Sequence, residues 1–412
     1  MNSPATETRM RRWQEQRWIL DAIVQTVGVE WDQARLAYTM APAGVDAVPD
    51  FMAVRMRVKK YNDIDREFAS AARRRQDKAR RYEEEGRLVS AGESYFIAAL
   101  LWSAARWPIF ENSADVIAYN DQMVGCYEKY IAFARHPIER VEVPFEGKSL
   151  PGYLHLPHAP APGERFPCVL SVDGMDASKE IMCSMYGDKW LERGMASFCL
   201  DGPGQGECCV RDIHVTATNH MDAGKAAFEW LATHPAIDAD RIVVSGVSFG
   251  SYFGTQIAAA LGDRVKGCAV QLVCHEPGGN SIFNMASPTF KLRFMYMAGI
   301  DDEAEFDAFA KDFDIMRQAA SLKCPYLVLA GEHDELSPIE HTYRLFDAIQ
   351  VPKKLVVYEA EKHGIGGAMS AQLGDNPNVI LADWLRDRAD GKPMQSERVF
   401  IDSTGRPHVT PV

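Results

Sequence analysis

The spacing of apolar residues changes near residue 136 and divides the chain into two parts. From about residue 6 to 135, alanines, leucines and aromatic residues recur three and four positions apart, as in "SYFIAALLWSAARW". This spacing places apolar side chains on one face of a helix. From Ile138 onward, "IERVEVPFEG" and "LPGYLHLPHA" alternate with a period of two, which predicts an edge β-hairpin. We therefore expect a helical N-terminal domain over residues 1–136.

Short apolar runs follow the hairpin and alternate with helical segments. The strand candidates are "PCVLSV", "MASFCL", "RIVVSG", "KGCAVQLV", "CPYLVLAG" and "KKLVVYEA". This alternation predicts an α/β fold, with a mostly parallel, doubly wound sheet and helices on both faces. The connection from Val273 to Cys324 is too long for one crossover, so we expect a helical lid over about residues 276–322. The α/β domain then spans residues 137–393, and residues 394–412 form a C-terminal tail.

Composition and charge narrow the classes of partner. The chain has 412 residues and a formal net charge of −12, which argues against nucleic acid and anionic membrane surfaces. It shows no apolar run of the roughly 20 residues that cross a bilayer, and no apolar segment typical of a signal peptide. Nine cysteines without a C-x-x-C pattern favour reduced thiols in a cytoplasmic protein. We expect a small-molecule substrate, with no metal and no organic cofactor.

The stretch "VVSGVSFGSYFG" contains the first candidate for chemistry, Ser248. The serine lies between Gly246 and Gly250 in a G-x-S-x-G pattern, after a predicted strand and before a predicted helix. A sharp strand-to-helix turn crowds the backbone beside the serine, so that only glycine fits at the flanking positions. A small residue in a glycine-rich bend is the alternative interpretation. The strand and helix on either side favour a nucleophile.

Two further candidates follow later strands. Asp334 comes after "CPYLVLAG", and His363 comes after "KKLVVYEAEK". Each has a structural alternative, a helix N-cap for the aspartate and a surface position for the histidine. Ligands in open α/β sheets gather at the carboxyl ends of the strands, and the chain order Ser, Asp, His is one that a catalytic triad uses. We predict that His363 is the general base for Ser248 and that Asp334 orients its imidazole.

Other loops after strands predict the surroundings of this site. The backbone N–H groups of Phe249 and Met175 are our candidates for the oxyanion hole. In the glycine-rich loop "DGPGQGE", we expect structural roles for Asp201 and Glu207 before catalytic ones. The aromatic residues and methionines of "FNMASPTFKLRFMYM" predict either an apolar pocket wall or the core of the lid. For Tyr95, Trp102 and Trp107 in the helical part we expect core packing, and contact with the pocket is the alternative.

The motifs "DGPGQGE", "GVSFGSYFG", "GEHDELSP" and "KHGIGG", together with the helical N-terminal part, resemble one branch of the α/β-hydrolase superfamily. That branch includes 2,6-dihydroxypseudooxynicotine hydrolase, fungal polyketide-shortening hydrolases and fermentation-respiration-switch-like esterases. The resemblance implies an α/β-hydrolase fold, no cofactor, a pocket between the helical domain and the sheet, and a homodimer.

The resemblance also implies an activity. It indicates a serine hydrolase that cleaves a carbon–carbon bond beside a ketone, in an aryl ketone or a polyketide-like β-dicarbonyl compound. Carried over residue by residue, it makes Glu276 a substrate-binding candidate, with His275 and Asp176 as further ones, and a lid-anchoring role is the alternative for Glu276. A carboxylesterase acting on a hydrophobic ester is the rival activity. A non-catalytic binding protein on the same fold is the rival from another class.

Overall fold

The computed structural model describes residues 11–31, 40–175, 177–183, 188–278 and 281–412. The N-terminal part is helical as far as residue 131. Its helices are α1 (Arg11–Thr26), α2 (Val48–Arg57), α3 (Ile64–Glu84), α4 (Leu88–Arg106) and α5 (Ala114–Ile131), with short helical turns at Val29–Trp31, Ala41–Ala43, Val45–Ala47 and Tyr61–Asp63. Helices α3 and α4 form an antiparallel hairpin in which buried alanines let the two backbones approach closely.

Helix α4 is both long and apolar. By length and composition it could cross a membrane, so the expectation that no such run exists was wrong. Most of the helix is buried inside the protein, as in the core helix of a soluble fold, and one such helix is weak evidence for a membrane span.

A ten-stranded sheet follows. Its strands are β1 (Ile138–Phe145), β2 (Lys148–His155), β3 (Phe166–Val172), β4 (Ala196–Leu200), β5 (Ile237–Val247), β6 (Cys268–Gln271), β7 (Tyr326–Gly331), β8 (Lys353–Tyr358), β9 (Glu397–Ile401) and β10 (Pro407–Pro411). They lie in the order β1-β2-β4-β3-β5-β6-β7-β8-β9-β10. The seven strands from β4 to β9 in this order are parallel, and the pairs at both edges are antiparallel.

Helices cover both faces of the sheet. After β3 come α6 (Lys179–Met182), α7 (Asp188–Leu191), α8 (Gly206–Val210), α9 (Asn219–Thr233), α10 (Phe249–Leu261), α11 (Ile282–Met285), α12 (Pro288–Ala298), α13 (Glu303–Phe309), α14 (Met316–Ala319), α15 (Ile339–Ala348), α16 (Met369–Leu373) and α17 (Pro377–Ala389), with helical turns at Gly262–Arg264 and Ala310–Asp312. Along β5, Ile242 and Val244 join one apolar cluster, whereas Val243 joins the other. Because both faces are buried, the central strands are apolar at nearly every position.

Helices α11 to α14 lie between β6 and β7, over the range in which we expected a lid. Aromatic rings dominate their packing. Phe294 contacts Phe283 with ring centroids 5.0 Å apart and Phe249 with centroids 4.5 Å apart. The lid is thereby joined through its rings to the residue that follows Ser248.

Residues 394–412, predicted as a C-terminal tail, contain two β-strands. Residues Glu397–Ile401 extend the parallel sheet by pairing with β8, and Pro407–Pro411 fold back on them as a hairpin. The side chains of Val399 and Ile401 are buried against the sheet. Pairing with β8 satisfies the backbone groups of this short segment, a gain that its own sequence does not reveal.

Candidate active site

Ser248 lies on a sharp turn between β5 and α10. Its backbone has φ 54° and ψ −125°, a conformation that costs an ordinary residue about 1–3 kcal/mol. The flanking glycines are required by close backbone contacts. A Cβ on Gly246 would lie 2.2 Å from the carbonyl oxygen of Gly250, and a Cβ on Gly250 would lie 2.2 Å from that of Val172. The turn therefore depends on both glycines of the motif.

The structure brings the three sequence-predicted residues together. Ser248 Oγ lies 3.0 Å from His363 Nε2, and His363 Nδ1 lies 2.9 Å from Asp334 Oδ2. All three side chains are largely buried, with 6%, 9% and 6% exposure for Ser248, His363 and Asp334. This continuous chain of hydrogen bonds is the arrangement in which a histidine can take the proton of a serine hydroxyl.

Neighbouring groups hold the aspartate and the histidine in place. Asp334 Oδ1 accepts hydrogen bonds from the backbone N–H groups of Leu336, at 2.8 Å, and Ser337, at 2.9 Å. The N–H of His363 donates to Glu335 Oε2 at 3.0 Å, which fixes the loop that carries the imidazole. No motif in the sequence pointed to Glu335. Its role depends on the approach of two loops that are distant in the chain.

The two candidate oxyanion donors come from the start of α10 and from the loop after β3. Phe249 is the first residue of α10, where a backbone N–H has no acceptor within the helix. Met175 is buried in the loop after β3. Gln205 holds that loop, since its Nε2 donates to the carbonyls of Asp173, at 2.6 Å, and Gly174, at 2.9 Å. Gln205 is a positioning residue that sequence reasoning missed. Asp176, a substrate-binding candidate, lies outside the described residues.

A buried ion cluster lies beneath the glycine-rich loop. Its centre is Lys179, which is fully buried and lies 2.8 Å from Glu180, 3.0 Å from Asp201 and 3.0 Å from Glu207. Burial alone would lower the pKa of Lys179, but the three carboxylates raise it well above its usual value. Burial would raise the pKa of Glu207, yet Lys179 and Arg140 lower it to about 2.

The same carboxylates also hold the backbone of the loop. The two oxygens of Asp201 accept from the N–H groups of Lys179 and Glu207, each at 2.8 Å. Asp201 and Glu207 therefore connect the loops after β3 and β4, in keeping with the structural roles expected for them. Lys179 and Glu180 were not selected from the sequence, because adjacent charged residues normally lie on an exposed surface.

The described hydrogen bonds of Glu276 go to a residue outside the triad. Its carboxylate forms a two-pronged ion pair with Arg344, with separations of 3.1 and 2.5 Å. His275 is fully buried beside Thr342, 3.4 Å away, and burial lowers the pKa of its imidazole to about 3. The described contacts of Glu276 are thus those of a surface anchor. His275 is a neutral residue packed behind the loop that carries Asp334.

The three aromatic candidates of the helical domain fall into two groups. Tyr95 donates to Glu83 at 2.6 Å, and Trp102 donates to Gln76 at 3.3 Å, so both belong to the packing of their own domain. Trp107, at the end of α4, instead lines a narrow cleft together with Met175. Of the three, only Trp107 lies in the lining of this cleft, where the helical domain meets the sheet.

One group of side chains in the described part of the chain could hold a metal ion. His136, His155 and Cys183 place their ligand atoms within 4.8 Å of one another, where the helical domain joins the sheet. The two imidazoles share a hydrogen bond of 2.9 Å. Burial lowers the pKa of His136 and of His155 and raises that of Cys183, which favours the uncharged form of all three side chains. None of these three residues belongs to the triad.

The chain is similar to several known proteins. A family model described as esterase FrsA-like matches residues 5–304 of this chain. The 2,6-dihydropseudooxynicotine hydrolase of Paenarthrobacter nicotinovorans is 28% identical over 346 residues, which cover 82% of this chain and 88% of that protein. An α/β hydrolase named xenA, from Xenoacremonium sinensis, is 29% identical over 254 residues, which cover 58% of each chain.

A solved structure shows the same fold. The crystal structure of 2,6-dihydroxy-pseudo-oxynicotine hydrolase superposes with a TM-score of 0.72 at 26% identity, covering 87% of this chain and 97% of that one. The predicted fold class, a mostly parallel doubly wound sheet with flanking helices, is thereby confirmed, and so is the resemblance stated from the motifs.

Proposed function

Because the chain belongs to the esterase FrsA-like family and is an α/β hydrolase, we propose that Ser248, His363 and Asp334 are its catalytic triad. One observation supports this most directly, the unbroken chain of hydrogen bonds from Ser248 Oγ through His363 to Asp334. The three side chains follow three separate strands, and the imidazole of His363 lies within hydrogen-bonding distance of the other two. A non-catalytic binding protein does not require this arrangement, so it favours an enzyme.

We further propose that the substrate is an aryl ketone or a polyketide-like β-dicarbonyl compound, cleaved at the carbon–carbon bond beside the ketone. Ser248 Oγ attacks the carbonyl carbon while His363 Nε2 takes the hydroxyl proton. The carbonyl oxygen becomes an oxyanion between the N–H groups of Phe249 and Met175. When the carbon–carbon bond breaks, its electron pair stays on the leaving carbon, and the imidazolium returns the proton there.

Water completes the cycle. His363 removes a proton from a water molecule that attacks the acyl group on Ser248, and the acid and free serine are released. The leaving carbanion needs stabilisation by a second carbonyl or a hydroxylated ring, which is why we choose these substrates. The resemblance to a hydrolase of 2,6-dihydropseudooxynicotine supports this choice. The family description supports the second candidate, a carboxylesterase that uses the same triad.

Labelling with a fluorophosphonate probe tests the nucleophile. We expect the unmodified protein to be labelled and Ser248→Ala not to be. Ser251→Ala, three residues along in α10, is a matched control, because Ser251 is fully buried and its Oγ accepts from the N–H of Cys274 at 2.8 Å. That variant should retain labelling. Equal labelling of Ser248→Ala and the unmodified protein would refute the triad.

Two substrates separate the two activities. The protein is incubated with p-nitrophenyl acetate and with a hydroxyaryl 1,3-diketone, and both products are quantified. We expect cleavage of the diketone to two products, and this cleavage should be lost in Ser248→Ala. Rapid turnover of the ester with no cleavage of the diketone would favour the carboxylesterase.

A further inference from the structure

A narrow cleft adjoins the loop that carries Met175. It forms where three parts of the protein meet: the end of α4, the loops after β3 and β4, and the lid helix α12. Its lining includes Arg106, Trp107, Met175, Gly204, Arg293 and Tyr296. The free space in this arrangement is about 10 Å³, which is room for one water molecule. The cleft thus connects the candidate oxyanion loop with the helical domain and the lid.

Two arginines line this cleft, and neither has a counter-ion among the described residues. Arg106 is 8% exposed and Arg293 is 6% exposed. Within the described part of the chain, neither guanidinium has a carboxylate at ion-pair distance. Arg106 donates to the amide oxygen of Asn120 at 3.1 Å, and Arg293 donates to the backbone carbonyl of Trp107. The Nε atom of each arginine is buried and has no hydrogen-bond partner among the described residues.

Packing accounts for only part of this arrangement. The guanidinium of Arg293 lies 5.2 Å from the ring centroid of Trp107 and 5.5 Å from those of Phe110 and Tyr296. It also lies at the end of α4, where a cation is favourable. Such contacts contribute on the order of 0.5–2 kcal/mol, whereas burying an ion costs several kcal/mol. A structural role therefore leaves most of the burial cost of Arg293 uncompensated.

The positive charges also lie close to one another. Burial and the neighbouring charge of Arg106 both lower the pKa of Arg293. Burial raises the pKa of the Cys209 thiol to about 11, against the opposing effect of Arg293 and Arg106. Two like charges thus share a cleft whose other described lining residues are uncharged, and this raises the cost of leaving either one unpaired.

We propose that Arg106 and Arg293 form an anion-binding subsite for the substrate, which takes a planar oxygen anion such as a carboxylate or the enolate of a 1,3-dicarbonyl group. A guanidinium presents donors in a fork that matches such an anion at two points. The inference rests on the proposed function, since it places the anionic group next to the oxyanion loop. It therefore determines which end of the substrate faces Ser248. A movement of α12 or α4 must widen the cleft before an anion enters.

Binding of a matched pair of probes tests the subsite without turnover. Benzoate and benzamide have the same shape and differ in charge. We expect calorimetric titration of Ser248→Ala to show benzoate binding more tightly than benzamide, by tenfold or more, in order-of-magnitude terms. Adding Arg293→Gln or Arg106→Gln to Ser248→Ala should remove this preference while benzamide affinity stays unchanged.

A control and two outcomes complete the experiment. Arg398→Gln alters an exposed arginine paired with Asp347 and should leave the preference intact. If Arg293→Gln does not fold, Arg106→Gln gives the decision. Equal affinity for benzoate and benzamide, or a preference that survives both cleft substitutions, would overturn the subsite. Because binding is measured without Ser248, this result is independent of whether Ser248 is the nucleophile.

Discussion

Replacing Lys179 by methionine tests how much the buried ion cluster stabilises the protein. The substitution keeps most of the side-chain volume and removes a positive charge that contacts Glu180, Asp201 and Glu207 together. Arg140 and Arg211 still pair with Glu207 after the change. The question is therefore what happens to the two other carboxylates.

The structure gives the magnitude. Glu180 is fully buried, and in the described part of the chain its carboxylate oxygens have no hydrogen-bond donor apart from the ion pair with Lys179. Asp201 keeps two backbone N–H donors but loses its cation. Removing one partner from a buried ionic group costs about 3–5 kcal/mol, because an uncompensated charge remains. We expect Lys179→Met to lower the free energy of unfolding by that amount.

Urea unfolding followed by tryptophan fluorescence measures the loss, with Lys291→Met as the matched control. Lys291 contacts Glu303 at 2.8 Å and Asp307 at 2.6 Å, but these partners are 28% and 51% exposed. Water can solvate both carboxylates once the lysine is gone, so the control should lose about 1 kcal/mol. Equal losses for the two lysine substitutions would refute the reasoning.

A second substitution identifies the group responsible. In Lys179→Met, the additional change Glu180→Gln removes the carboxylate that has no other described partner. We expect it to recover about 1–3 kcal/mol of the lost stability. If the double variant is no more stable than Lys179→Met, the cost lies in packing and the electrostatic account of the cluster is wrong.

Two further predictions follow. A Cβ at Gly250 would lie 2.2 Å from the Val172 carbonyl oxygen, whereas a Cβ at Gly254 would have no described neighbour closer than 3.5 Å. In thermal unfolding, Gly250→Ala should therefore lose about 1–3 kcal/mol of stability and also abolish turnover, while Gly254→Ala should gain up to about 1 kcal/mol. An active Gly250→Ala variant would contradict this prediction. The second concerns His275, whose folded pKa of about 3 lies below its usual value of 6.5, so that only the unfolded chain takes up a proton between these pH values. This imidazole therefore lowers the free energy of unfolding by about 1.4 kcal/mol for each pH unit below 6.5. In urea unfolding between pH 6 and 4.5, the stability of His275→Gln should depend less steeply on pH than that of the unmodified protein. Equal slopes for the two proteins would be evidence against this prediction.

Parts of the fold could be predicted from the sequence because they depend on local pattern. The strands β3 to β8 are short runs that are apolar on both faces, and the chain between them has helical spacing. The hairpin of β9 and β10 lacks this signal. Only alternate positions of β9 are buried, and β10 is exposed throughout and bounded by prolines. β9 forms by pairing with the edge of β8, and β10 then pairs with β9. Their formation is therefore a tertiary effect.

The residues of the candidate site also fall into those that the sequence predicted and those that it did not. Ser248, Asp334 and His363 follow strands, and parallel topology brings the carboxyl ends of strands to one edge of the sheet. Lys179 contacts the carboxylate of Glu207, which is 28 positions away in the chain, and no local sequence pattern predicts that Lys179 is buried. Arg293 did leave a signal, because it interrupts the apolar helix sequence "PTFKLRFMYM". A charged residue inside an apolar helical stretch marks a position that needs a partner or a ligand.

The two buried sets of charges lead to opposite conclusions about ligands. Lys179 is surrounded by carboxylates of the protein itself, so its charge is balanced before any substrate arrives, and its effect is to hold two loops together. Arg106 and Arg293 have no such balance among the described residues. The Lys179 cluster shows that buried carboxylates can neutralise a buried cation in this fold, so Arg106 and Arg293 could have been paired in the same way. Within the described part of the chain the two arginines beside Met175 have no carboxylate partner, and this is evidence for an anion that comes with the substrate.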